Sequence, residues 1–220
     1  MSNINTERWN QNSLVMQESW LARGHRHRIV ALSRLYALLP DRQAAILDVG
    51  CGSGFFLREF YAKGYRRLHA IEPDVALIAN IPEGIAQVRN DRMESMGFAD
   101  ATFDALFVYG VLHHLKGVAA YAAACQELDR VLKPGGRIFI MEPGRLWMLR
   151  MVELATRMLG PISPPLRALR EAFEEERVDQ EFFIRNHVVI RDRLMDRRYQ
   201  VDVDKYFLYS WVFTAQKRYE

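Results

Sequence analysis

The segment 46–56, ILDVGCGSGFF, constrains this chain more than any other. An apolar run of strand character ends at an acidic residue, three glycines follow at alternate positions, and a helical pattern begins at once. Gly50, Gly52 and Gly54 remove side chains where a strand turns into a helix. A ligand can therefore approach the backbone closely, and the turn can take conformations closed to residues with a β-carbon. A dinucleotide fingerprint would space its glycines G-x-G-x-x-G; here they alternate. Asp48, inside the strand end, would be a poor neighbour for a pyrophosphate and suits a ligand with a cationic amino group.

The chemistry of this turn agrees with the rest of the chain. Strand-like stretches at about 44–49, 67–72, 85–90, 104–109 and 137–142 alternate with helical patterns at about 54–63, 74–80 and 117–132. Such alternation predicts parallel strands with helices on both faces. Lys133-Pro134-Gly135-Gly136 reads as a turn between a helix and the next strand. From Gly144 to about Arg198 the pattern is mainly helical, with breaks expected at Gly160-Pro161 and Pro164-Pro165, and two strands close the chain at about 200–208 and 210–217.

The glycine run resembles the first motif of the class I S-adenosylmethionine-dependent methyltransferases, in a form similar to the type 11 small-molecule family. FDALFVYGVLHHL and LDRVLKPGGRIFIMEP resemble its later motifs, so the likeness runs from Ile46 to Pro143. It implies a doubly wound, seven-stranded, mostly parallel α/β sheet of order 3-2-1-4-5-7-6 whose last strand is antiparallel. It also implies S-adenosylmethionine as cofactor, held by Asp48 and the loop Gly50, Cys51, Gly52 and Gly54. Glu72, with Pro73 beside it, would accept both ribose hydroxyls. Asp91 would meet the adenine amino group, with Arg92 and Met93 along the ring, and Tyr109 would stand at the exit of strand four. Asp74, directly before a helix, fits an N-cap better than Glu72 does.

His113 and His114 follow strand four, where the transferable methyl group should point. An imidazole near neutrality can take a proton from a hydroxyl. Neighbours on a helical turn diverge by about 100°, so one of the two should face the pocket and the other pack beneath. Glu142, at the end of strand five, could orient the histidine or bind the acceptor. These three are the candidate catalytic residues.

Composition bounds the remaining choices. The chain has 220 residues, half of them hydrophobic, and a net charge of +3, which gives no ground for nucleic acid as a partner. The expected reading is one domain over 1–220, with 1–40 as a helical lid carrying an uneven apolar stripe at 3–22 and 144–198 as a helical cap. The segment after Gly144 mixes large apolar residues with arginines and could cover a partly apolar acceptor, form a homodimer contact or lie weakly on a membrane surface. Cys51 and Cys125 lack metal-ligand spacing; no metal site is expected, and reduced thiols suggest a cytoplasmic protein. No apolar run approaches the length of about 18 residues needed for a span. O-methylation of a small molecule is the expected function. The alternatives are an NAD(P)-binding oxidoreductase, disfavoured by the glycine spacing and by the lack of a Tyr-x-x-x-Lys pair, and a non-catalytic protein of methyltransferase fold. An RNA methyltransferase would be expected to carry an appended basic domain or an Asn/Asp-Pro-Pro-Tyr-like motif.

Overall fold

The computed structural model describes residues 32–33, 35–159, 164–194, 198–207 and 210–219. Seven strands form one sheet: β1 (Ile46–Val49), β2 (Leu68–Ile71), β3 (Gln87–Arg89), β4 (Phe103–Tyr109), β5 (Leu132–Pro143), β6 (Tyr199–Phe207) and β7 (Ser210–Lys217). Their order is β3-β2-β1-β4-β5-β7-β6. The first five run parallel, and β7 lies antiparallel between β5 and β6. The helices are α1 (Phe55–Ala62), α2 (Val75–Ile78), α3 (Gly117–Val131), α4 (Leu146–Leu159) and α5 (Pro164–Leu194), with a 3₁₀ turn at Leu112–His114.

β1 is the centre of the parallel part because all four of its residues are buried, as a strand covered on both faces must be. Each end of the sheet is more exposed: β3 pairs only with β2 and buries none of its three residues fully. α1 packs Phe56, Leu57 and Phe60 inward, and Phe56 and Phe60 meet Phe107 of β4 at ring-centroid distances of 4.6 and 5.5 Å. On the other half of the sheet, Trp211 and Phe213 of β7 join Phe183 and Ile190 of α5 in the core. His187 locks that packing: its Nδ1–H donates to the Ile184 carbonyl at 2.8 Å, leaving Nε2 to accept the Tyr206 hydroxyl.

Two local expectations are corrected. Lys133-Pro134-Gly135-Gly136 is not a turn before the strand but its bulged start. Leu132 already pairs with Phe103, and the register then jumps so that Ala105 faces Arg137. Proline is admitted at a bulge because no ladder donor is required there. The bulge is tied down by Lys133 to Asp104 at 2.7 Å and by Gln216 Nε2 to the Gly135 carbonyl at 2.9 Å. Likewise, Pro164-Pro165 does not interrupt a helix; it opens α5, since first-turn amides have no intrahelical partner to lose. The 3–22 stripe and Gly160-Pro161 lie outside the described residues.

The chain divides into two compact units. One comprises Asp41–Arg145 and Phe182–Glu220 and contains the whole sheet; the other takes in Met1–Pro40, so far as it is described, and Leu146–Glu181.

Candidate active site

All three glycines of the first loop have positive φ, at 69°, 55° and 79°, yet the space around them differs. A β-carbon on Gly50 would sit 2.5 Å from Cγ2 of Val111, and one on Gly54 would sit 3.0 Å from Cγ1 of Ile81. Those two are packing glycines. At Gly52 nothing among the described residues lies within 4 Å beyond its chain neighbours, so this is the position whose missing side chain leaves open room. The loop is pinned from behind: the amides of Gly50 and Cys51 both donate to the Ile71 carbonyl, at 2.9 and 3.1 Å.

Asp48 and Glu72 give this loop its charge. Asp48 is 1% exposed, and its Oδ2 accepts no hydrogen bond among the described residues. Burial, and then the neighbouring Glu72 carboxylate, push its pKa up to about 8. An unmatched buried carboxylate oxygen is costly and is met by a cation better than by any neutral donor. Glu72 Oε2 accepts the Gly52 amide at 2.9 Å and Oε1 accepts the Asp74 amide at 3.0 Å. Burial raises its pKa, while those two amides oppose the rise. Asp74 caps α2 through the Ala76 amide at 2.8 Å. Cys51 is buried, and burial, Asp48 and Glu72 all raise its thiol above the ordinary range; it is no nucleophile.

Asn90 was not singled out by the sequence, where nothing marks it. Its Nδ2 donates to the carbonyls of Glu72 and the exposed Pro73, both at 2.9 Å, and so ties the exit of β3 to the exit of β2. Asp91 accepts the Gly97 amide at 3.0 Å and an ion pair from Arg89 at 3.2 Å. Met93 is packed in the core, and exposed Arg92 reaches Glu94 at 3.4 Å. Tyr109, half-buried at the end of β4, has its ring 4.9 Å from that of Phe56.

The second cluster centres on Glu142. Its Oε1 accepts the amides of Val111 and Leu112 at 2.7 and 2.8 Å, and its Oε2 meets His113 Nδ1 at 2.8 Å. A carboxylate here fixes the proton on Nδ1. Glu142 thus uses both oxygens to hold the exit of β4, and through Val111, packed against Gly50, it joins this cluster to the glycine loop. His113 is buried beneath; His114, its ring 4.1 Å away, is exposed. The described residues contain no group of His, Cys, Asp and Glu able to hold a metal ion.

The strand order, the glycine loop and the acidic residues at the carboxyl ends of β1 and β2 form one arrangement, and residues 47–140 match the family model described as Methyltransferase domain. This stretch is similar to a methyltransferase domain. The chain is 36% identical over 110 residues to a ubiquinone biosynthesis O-methyltransferase of Methylocella silvestris, covering 47% of this chain and 41% of that protein. It is 28% identical over 114 residues to a tRNA U34 carboxymethyltransferase of Saccharophagus degradans, covering 47% and 33%. The chain therefore spans less than half the length of these curated relatives. The methyltransferase fold extends further: a structure of an S-adenosylmethionine-dependent methyltransferase from Methanosarcina mazei matches with a TM-score of 0.57 at 24% identity, over 82% of this chain and 95% of that one. A putative one from Methanococcus maripaludis matches with a TM-score of 0.63 at 16% identity, over 96% and 93%. The architecture is that of the class I enzymes.

Proposed function

We propose that the protein transfers a methyl group from S-adenosylmethionine to a small, partly apolar molecule, with oxygen as the methylated atom. The observation that carries the cofactor is the buried, unmatched Oδ2 of Asp48 beside the open backbone at Gly52. Asp48 would pair with the cofactor's ammonium group, Glu72 would use its remaining lone pairs on the ribose hydroxyls, and Asp91 would take the adenine amino group. When bound, the cofactor would supply an electrophilic methyl on a sulfonium, whose sulfur leaves as a neutral thioether.

What remains for this chain is alignment, exclusion of water and the fate of one proton. His114, exposed where His113 is buried, is the ring able to reach an acceptor hydroxyl and take its proton on an imidazole nitrogen. Glu142 and His113 hold the backbone from which His114 projects; they are positioning residues. His114→Gln should lower single-turnover methyl transfer by about 10²–10⁴ with cofactor affinity unchanged. A loss smaller than tenfold would leave alignment as the whole mechanism. Gly52→Val should abolish cofactor binding while the protein still folds. A β-branched side chain at φ 55° carries strain of roughly 1–2 kcal/mol and fills the open room. Retained affinity in calorimetry would contradict that placement.

A tRNA acceptor is the second reading, favoured by the relatives named tRNA U34 carboxymethyltransferase. One experiment decides: a cell extract is incubated with the protein and cofactor labelled in the methyl group, then separated into RNA and organic-soluble fractions. Label in a small organic product, identified by mass spectrometry, supports the proposal; label in RNA alone overturns it.

A further inference from the structure

Helix α4 exposes four large apolar side chains. Trp147, Met151, Leu154 and Met158 are 57%, 56%, 53% and 70% exposed. At about 100° per residue they fall within roughly 60° of one another, as a single stripe along the helix. Thr156, on the opposite side, is buried. The stripe is thus the outward face, where a helix of a globular protein ordinarily carries polar residues. Arg150 and Arg157, both exposed, follow one edge of it; Arg157 also reaches Glu153 of the same helix at 3.1 Å.

We propose that this face of α4 docks the protein onto an anionic lipid bilayer. The four apolar side chains enter the boundary between headgroups and acyl chains, and the two guanidinium groups pair with lipid phosphates. Trp147 stands at one end of the stripe, and tryptophan is enriched at that depth of a membrane. The helix lies in the plane of the surface. Its 14 residues reach about 21 Å, short of the ~30 Å hydrocarbon core, and among the described residues no helix is long and apolar enough to cross. A second copy of the chain is the competing occupant. Four side chains on one helix offer on the order of a few hundred Å², less than the ~800 Å² per partner of a stable interface, and two arginines at a symmetric contact would face their own kind.

The test is flotation of the full protein with vesicles of phosphatidylcholine alone or of equal parts phosphatidylcholine and phosphatidylglycerol. The expected result is co-flotation with the mixed vesicles, at least tenfold weaker with phosphatidylcholine alone and diminished by salt. Met151→Asp should reduce it at least tenfold while binding of S-adenosylhomocysteine persists, a readout that keeps this inference separate from the enzymatic one. The double variant R150Q/R157Q leaves the apolar stripe intact and should remove the preference for anionic vesicles. Absence of flotation, or flotation indifferent to these changes, overturns the proposal. So does light scattering that shows a dimer dissociated by Met151→Asp, which would make the second copy the occupant.

Discussion

Glu142→Ala is expected to lower the unfolding free energy by about 3–5 kcal/mol, a large part of the 5–15 kcal/mol typical of a folded protein. Glu142 is 2% exposed, and its carboxylate serves three donors: the amides of Val111 and Leu112 and Nδ1–H of His113. Alanine leaves all three buried without their acceptor, and a stranded donor costs more than a well-made bond contributes. Glu142→Gln should cost much less. Its carbonyl oxygen still serves both amides, so the loss falls on the single contact with His113. Urea titrations of the two variants supply the check. An alanine variant within about 1 kcal/mol of wild type would mean that the exit of β4 does not depend on this clamp.

Asp48→Asn should act in opposite directions on stability and on binding. In the ligand-free protein the carboxyl group has its pKa raised from 3.8 to about 8, first by burial and then by Glu72. Between those values the folded state binds the proton and the unfolded state has released it. Stability therefore falls as pH rises from about 4 to 8, by at most about 1.4 kcal/mol per pH unit from this group. The asparagine variant lacks that dependence and should be more stable than wild type at pH 8. Cofactor binding has the reverse sign, because only the ionised carboxylate pairs with an ammonium group. Wild-type affinity should rise from pH 6 to pH 8, with a proton released on binding at the lower end. The variant should lose on the order of ten- to a hundredfold in affinity, with a flat profile. Thermal melts together with calorimetry in buffers of different ionisation enthalpy measure both effects. An affinity indifferent to both pH and substitution would contradict the role given to Asp48.

The parts legible in the sequence were those written locally. A strand, an acid, alternating glycines and a helix lie within eleven consecutive residues, and the alternation of elements up to β5 follows from their periodicity. The separate reasons for the glycines were not legible. Gly50 answers to Val111 and Gly54 to Ile81, contacts fixed by folding, and only Gly52 faces open room. Glu142 reads as a lone acid at a strand end; its clamp depends on the register that pairs Tyr109 with Met141. His113 and His114 differ in exposure, but their rings stay 4.1 Å apart, and the buried one is the one that Glu142 holds. The Lys-Pro-Gly-Gly run and Pro164-Pro165 misled for one reason. Composition marks where regular hydrogen bonding is weakened, and a bulge or a helix start meets that condition as well as a turn or a break does.

The loop from Asp48 to Gly54, with Glu72 behind it, is proposed to hold a sulfonium cofactor and not a dinucleotide. Isothermal calorimetry of the purified protein with S-adenosylmethionine, S-adenosylhomocysteine and NAD tests it directly. Saturable binding of the first two is expected, with no heat above background for NAD. Tight NAD binding with none of either sulfur ligand would contradict it.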